Sequence, residues 1–209
     1  MKRASRCTLL LLLSLSWPLG AGSIVDTPHN LSTSGPGPVR ASTETQVCIF
    51  CHTPHDSNPV GPLWNHQLSS GVTYLKYSSP TMIAYSSQAT APDPNGSSKL
   101  CLSCHDGTVA LGAVGKGLIP LAGGKTTLTT GDLGFIGTDL SRTHPISFVV
   151  TDQLVAASNA KNAPLNTVGA MKADPKVHLD GADRVQCTAC HDPHNDDTQT
   201  HTKHEQAHG

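Results

Sequence analysis

Three copies of the pentapeptide Cys-x-x-Cys-His constrain this chain more than any other feature of its sequence. They occupy residues 48–52, 101–105 and 187–191, with the reactive side chains Cys48, Cys51, His52, Cys101, Cys104, His105, Cys187, Cys190 and His191. This pattern is typical of c-type haem attachment. Its two thiols form thioether bonds to the porphyrin, and the adjacent imidazole becomes the proximal ligand of the iron. The sequence therefore predicts three covalently attached haems, each with one iron.

The seventh cysteine, Cys7, falls in a segment that resembles a secretory signal. Lys2 and Arg3 begin residues 1–22, a leucine-rich stretch follows, and small residues around Gly20 offer a cleavage site. The apolar stretch is too short to span a bilayer. We therefore expect a signal peptide at 1–22 and a periplasmic or extracellular protein. Every cysteine of the mature chain then belongs to a Cys-x-x-Cys-His motif.

Zinc and disulfide bonds are the alternative uses of these cysteines. A structural zinc site takes four Cys or His ligands, and disulfides are common in exported proteins. Neither alternative explains why a histidine follows each cysteine pair directly. The repetition of the complete pentapeptide in an exported chain therefore favours haem.

Composition predicts a fold built around the cofactors. The chain is 37% hydrophobic but only 4% aromatic, with 19 Gly and 15 Pro. Aromatic side chains normally supply much of a core's buried area, and here porphyrins would supply it. We expect a mostly irregular fold over 23–198, with short helices around the motifs, long loops, and a small β element near 107–150 formed from 108–111, 125–128 and 146–150. Residues 199–209 form a His-rich, flexible tail.

The remaining histidines are candidates for the second axial ligand of each haem. The chain has 12 histidines but only 3 methionines, so bis-His coordination is expected. His29 and His144 are the first candidates, since the proline after His144 favours an extended chain that presents its ring. His55 and His194 occupy equivalent places in the weak repeat Cys-x-x-Cys-His-x-Pro-His and can reach only a neighbouring haem. His66 is a further candidate.

The motifs, with their flanking Val47, Leu100 and Gly107, the string His144-Pro145-Ile146-Ser147-Phe148 and the leading His29-Asn30-Leu31-Ser32, resemble exported bacterial multihaem cytochromes c of the cytochrome c3-like kind. The resemblance runs from about residue 24 to 195. It implies closely spaced bis-His haems, respiratory electron transfer, and His29 and His144 as distal ligands. Such proteins often carry another motif near the C-terminus. This chain lacks it, which leaves the use of His55 and His194 open.

Three functions are compatible with these features. The favoured one is an electron carrier without catalytic residues, exchanging electrons with other cytochromes or a membrane quinol-linked complex. The others are a small reductase with one open haem, which needs a nearby acid–base group, and a protomer of an extracellular filament formed by self-association. With 14 basic and 15 acidic residues and no basic patch, nucleic acid is not an expected partner. No stable membrane span is expected either.

Overall fold

The structure, a computed structural model, describes residues 23–79, 91–162 and 164–195. The expected signal peptide at 1–22 and all residues beyond Asn195, including the expected tail at 199–209, lie outside these ranges. Loops make up most of the described chain. Within it there are three α-helices, four short 3-10 turns and two small antiparallel sheets.

The helices are α1 (Gly96–His105), α2 (Asp152–Asn159) and α3 (Val168–Ala173). The strands β1 (Ala113–Val114) and β2 (Gly117–Leu118) form a hairpin, and β3 (Phe148–Val149) pairs with β4 (Arg184–Val185). The 3-10 turns span Ile24–Asp26, Cys48–Phe50, Ala122–Gly124 and Cys187–Ala189. Each Cys-x-x-Cys-His motif thus begins in a helical segment, either α1 or a 3-10 turn.

Local capping explains where the helices begin and end. The hydroxyls of Thr151 and Thr167 accept hydrogen bonds from backbone N–H groups in the first turns of α2 and α3, which satisfies donors that have no partner inside the helix. Helix α1 ends before Gly107, whose φ is +74°. A Cβ at this position would lie 2.6 Å from the Leu128 carbonyl oxygen, so only glycine allows the chain to turn here.

Helical geometry fixes which way each motif faces. Residues three and four apart share one face of a helix, whereas a residue two positions along points to the opposite face. The two cysteines and the histidine of a motif therefore share a face, and the third residue faces away. That third residue is Phe50, Ser103 or Ala189, and its exposure is 1%, 0% and 1%, respectively. Burial of this residue anchors every motif in the protein.

A small apolar core lies beside α1 and the third motif. Leu102, Leu140 and Ile146 form a buried cluster, and the partly buried Tyr74 and Cys187 pack against it. Because Leu102 and Cys187 belong to two different motifs, this core joins the second and third Cys-x-x-Cys-His segments.

A buried glutamine also joins these two motifs. Gln186 is 1% exposed, and its amide oxygen accepts hydrogen bonds from the hydroxyls of Ser98 (2.6 Å) and Ser147 (3.0 Å). Its amide nitrogen donates to the side chains of Asn95 and Asp180, both at 2.9 Å. All four hydrogen-bonding positions of the amide are therefore occupied. The network holds the start of α1 against the turn that carries Cys187.

The expected β element is only partly strand. The β1–β2 hairpin lies inside 107–150, and β3 falls in the predicted segment 146–150, but 108–111 and 125–128 form no strand. One backbone hydrogen bond, from Leu111 N to Thr126 O at 2.8 Å, joins those two segments. No helix in the described ranges combines the length and the apolar character needed to cross a membrane.

Candidate functional site

The histidine of the second motif lies opposite a histidine from the N-terminal segment. The ring centres of His105 and His29 are 5.9 Å apart, with the rings tilted by 59°. The chain around His29 is held by buried polar contacts, since the Asn30 side chain donates to Val25 O and accepts from the Ser32 backbone and hydroxyl. These contacts fix the loop that presents His29.

The histidine of the first motif lies opposite a histidine that follows the third motif. The rings of His52 and His194 are 6.1 Å apart between centres and nearly parallel, at 16°. Trp64 packs edge-on against the His52 ring, 6.3 Å away. The pair therefore places the first motif next to the segment that follows the third motif.

Both separations match two axial ligands of one iron. Imidazoles on opposite faces of an iron lie about 6 Å apart between ring centres, because each metal–nitrogen bond is about 2 Å and each nitrogen is about 1 Å from its ring centre. Burial, then the nearby His105 and His194, lower the pKa of His29. The neutral imidazole, which is the form that binds metals, is thereby favoured.

Contacts at Nδ1 orient two of these four rings. The Nδ1 atom of His105 is hydrogen-bonded to the Gly134 carbonyl oxygen at 2.6 Å, and Nδ1 of His194 lies 3.3 Å from the Asp192 carboxylate. A carbonyl oxygen can only accept, so Nδ1 of His105 carries the proton. Nε2 then keeps its lone pair for a metal, as in histidine ligands supported by an outer hydrogen bond.

The second and third motifs open onto one apolar cavity of about 520 Å³. Its lining includes Cys101, His105 and His29 from the second site, Cys187, His191 and His144 from the third, and the apolar side chains of Leu102, Phe135, Ile136, Leu140 and Ile146. His144 also lies close enough to Cys187 to contribute to lowering that thiol's pKa. A mostly apolar wall with a few histidines suits a porphyrin with axial ligands.

The thiols of the three motifs converge around the second motif. The thiols of Cys101 and Cys187 lie close enough to interact, and this interaction, with burial, raises the pKa of Cys101, while the same interaction lowers the pKa of Cys187. Burial, with a contribution from Cys51, raises the pKa of Cys104 to about 12. The second attachment site therefore has the first and third as its neighbours.

His66 is buried away from any open coordination position. It is 1% exposed, its Nδ1 lies 3.0 Å from the Ser103 hydroxyl, and its Nε2 lies 3.1 Å from the Ala110 carbonyl oxygen. Burial lowers the pKa of His66 despite the hydrogen bond to Ala110. His66 contacts Ser103 of the second motif and so supports that motif from the protein interior. Since both ring nitrogens already have partners, we leave His66 out of the proposed ligand set.

His55 is exposed, and its ring makes no hydrogen bond, ion pair or aromatic contact with another described residue. It sits where the repeat would place the counterpart of His194, yet only His194 lies beside the histidine of another motif. His178 is also exposed and uses its backbone N–H to bond Ala189 O at 3.2 Å.

The alternatives to haem find little support among the described residues. All six cysteines there are free thiols. No group of three or more His, Cys, Asp or Glu side chains in the described ranges could hold a metal ion. A closed zinc site needs four such ligands, whereas an iron already held by a porphyrin needs only two.

Two residues of the site were not found from the sequence. Gly134 acts through its carbonyl oxygen, for which a sequence carries no signal. Asp192 lies inside the repeat Cys-x-x-Cys-His-Asp-Pro-His, so its place beside a candidate ligand was visible, but its contact with the His194 ring was not. No protein-family model matches the chain, and a search of curated proteins returns no significant match. The geometry of the site therefore carries the functional inference.

Proposed function

We propose that the chain is an exported three-haem c-type cytochrome that carries electrons in a respiratory chain. The observation that carries the proposal is the opposed pairing of histidines. His105 with His29, and His52 with His194, each join a motif histidine to a distant histidine at the spacing of two axial ligands. This arrangement is expected of bis-His electron carriers and not of closed metal sites.

Each haem has its own set of protein groups in this proposal. Cys48 and Cys51 would hold the first haem, and His52 and His194 would bind its iron. Cys101 and Cys104 would hold the second, with His105 and His29 as iron ligands. Cys187 and Cys190 would hold the third, with His191 and His144, both of which line the shared cavity, as iron ligands.

Haem, when bound, supplies a one-electron centre whose potential depends on its axial ligands and surroundings. The protein contributes ligand orientation and an apolar surround. Gly134 fixes the ring of His105, and Leu140 and Ile146 keep water from the wall of the shared cavity. Grouping the second and third attachment sites in one cavity keeps those two centres close, as electron transfer between them requires.

Occupied axial positions favour a carrier over a reductase. A reductase needs an open iron position with an acid–base group beside it, and a histidine opposes the motif histidine in two of the sites. Redox proteins, such as other cytochromes or a membrane quinol-linked complex, are the proposed partners. Location in the periplasm or outside the cell follows from the expected signal peptide at 1–22.

Haem content and spectra of the purified, exported protein test the proposal. We expect three haems per chain, all six-coordinate and low-spin. Replacing His29, His144 or His194 with alanine should each convert one haem to a high-spin form that binds added ligand. His55→Ala and His178→Ala are matched controls that should leave the spectrum unchanged.

Other outcomes would contradict specific parts of the proposal. A chain that carries no covalent haem is not a cytochrome. A wild-type protein with one high-spin haem that binds a small anion or gas would favour the reductase. An unchanged spectrum for His194→Ala together with a high-spin haem for His55→Ala would reverse the assignment of the first haem.

A further inference from the structure

We propose that Asp192 is a positioning residue that orients His194 and lowers the reduction potential of the first haem. The inference rests on the proposed function, since it needs His194 as the ligand opposite His52. It adds a residue that belongs to no Cys-x-x-Cys-His motif and is not itself a ligand.

The contacts of a single carboxylate oxygen carry the inference. Asp192 Oδ1 accepts the backbone N–H of His194 at 2.9 Å and faces Nδ1 of the same residue at 3.3 Å. The backbone hydrogen bond closes a tight turn and fixes the position from which the His194 side chain extends. The second contact fixes the rotation of the imidazole ring. Nε2 is left for the iron, and the ring stays nearly parallel to His52.

The charge on this carboxylate has a direct electrostatic consequence. A carboxylate 3.3 Å from Nδ1 favours the tautomer with its proton on Nδ1, and a histidine ligand supported by a carboxylate in this way becomes more basic. A more basic ligand and a nearby negative charge both stabilise the ferric iron relative to the ferrous iron, so the potential falls. Both side chains are about 60% exposed, and water weakens the effect.

The chain contains its own comparison in the other copy of the repeat. Thr53 occupies the position of Asp192, and its hydroxyl accepts the backbone N–H of His55 at 3.4 Å, so the local turn is similar. A hydroxyl at this place carries no charge and here donates to the His55 carbonyl oxygen. The repeat therefore has similar turns in both copies but a carboxylate only where the histidine faces another motif.

The test measures the potentials of the three haems in the holoprotein of the wild type, Asp192→Asn and Asp192→Ala. Asparagine has nearly the same shape and keeps an oxygen acceptor without the charge. We expect both variants to raise the reduction potential of one haem. At a fixed solution potential, the oxidised-to-reduced ratio of that haem should change about three- to tenfold. A tenfold change corresponds to about 59 mV for one electron. Thr53→Val is the matched control and should move none of the three potentials.

The affected haem is identified by repeating the measurement without the first attachment site. In a Cys48→Ser, Cys51→Ser protein, Asp192→Asn should move the two remaining potentials by clearly less than it moves the affected potential in the three-haem protein. Some shift is expected there, because Asp192 follows His191 and lines the cavity of the second and third sites. A shift of the same size without the first site would place the effect on the third haem and overturn the proposed role. Three unchanged potentials in both Asp192 variants, with all haems present and low-spin, would overturn the role of Asp192 but leave the cytochrome proposal standing. A wild-type chain without covalent haem would defeat the cytochrome proposal itself.

Discussion

Single residues at this site act mainly by hydrogen-bonding to histidine ring nitrogens and by fixing the surrounding loops. Gly134 accepts from His105 Nδ1 at 2.6 Å, and the loop leading to Gly134 is pinned by Asp132. The Asp132 carboxylate pairs with the Lys125 ammonium and accepts from the Thr129 backbone (2.7 Å) and hydroxyl (2.8 Å). A surface carboxylate thus supports the orientation of a candidate iron ligand through a short stretch of backbone.

The pKa of Asp132 predicts a pH window for this support. Hydrogen bonds from Lys125 and Thr129 lower the pKa of Asp132 to about 2, against about 3.9 in an unfolded chain. The folded-state pKa is the lower one, so the stabilisation is fully present above about pH 4 and is lost as the pH falls toward 2. The urea midpoint of the wild type should therefore exceed that of Asp132→Asn at pH 6, and the difference should shrink between pH 4 and pH 2.

The exposed Asp93→Asn variant is the control for this titration. Its side chain is 82% exposed and pairs only with Lys76, so the variant should stay close to the wild type throughout. A difference between the wild type and Asp132→Asn that is constant down to pH 2 would contradict the assigned window.

Among the elements, α1 and the turn Cys187–Ala189 form the most closely tied pair. The buried Gln186 amide bonds Ser98 and Ser147 through its oxygen and Asn95 and Asp180 through its nitrogen. The Ser98 hydroxyl also accepts from Cys187 N at 3.0 Å. These contacts set the position of Cys187 relative to Cys101.

Gln186→Ala should therefore destabilise the protein and disturb the third haem. Removing the amide takes one hydrogen-bond partner from each of four polar side chains, two of which, Ser98 and Ser147, are buried, and this costs about 2–3 kcal/mol. Urea unfolding of the holoprotein measures the loss, and the haem count per chain shows whether attachment at Cys187 and Cys190 suffers. The exposed Gln153→Ala in α2 is the matched control, expected within about 0.5 kcal/mol of the wild type. Equal stabilities of the two variants would contradict the role given to Gln186.

In the whole molecule, the second and third attachment sites share one cavity lined by Leu102, Leu140 and Ile146. A cavity of this size between short loops needs a large apolar group to fill it, because unfilled apolar space costs stability. Haem in the proposed sites would supply the apolar surface that the few aromatic residues do not provide to the core. Folding and cofactor attachment are therefore expected to depend on each other.

Loss of the third haem should destabilise the protein more than loss of the first. Cys187→Ser with Cys190→Ser should lower the haem count by one and expose the cavity wall. The free energy of unfolding should fall by at least about 2 kcal/mol, or about 4–8 °C in Tm. Cys48→Ser with Cys51→Ser is the comparison, since these residues do not line the cavity. Thermal unfolding and binding of an apolar dye measure the effect, and an equal loss in both variants would contradict it.

The sequence alone determined the kind of site and its repetition. Cys, Cys and His at positions one, four and five share a face of a single helical turn, so this part of the chemistry is local and needs no knowledge of the fold. Short helical segments at the motifs, scarce regular structure and the small hairpin inside 107–150 were also predicted from local composition. The signal peptide and tail stay predictions, because residues 1–22 and 199–209 lie outside the described ranges.

Only the tertiary structure decided which histidines face each other. His55 and His194 are equivalent in sequence, yet the fold places only His194 opposite His52, since the two residues are brought together across most of the chain. His66 is a ligand candidate from the sequence, and only the structure shows that Ser103 and Ala110 lie at its two ring nitrogens. The contact of the Gly134 carbonyl with the His105 ring and that of the Asp192 carboxylate with the His194 ring are likewise visible only in the structure. The proposed porphyrin attachment is thus predicted from five residues, whereas the choice of the second ligand of each iron depends on contacts that only the folded chain makes.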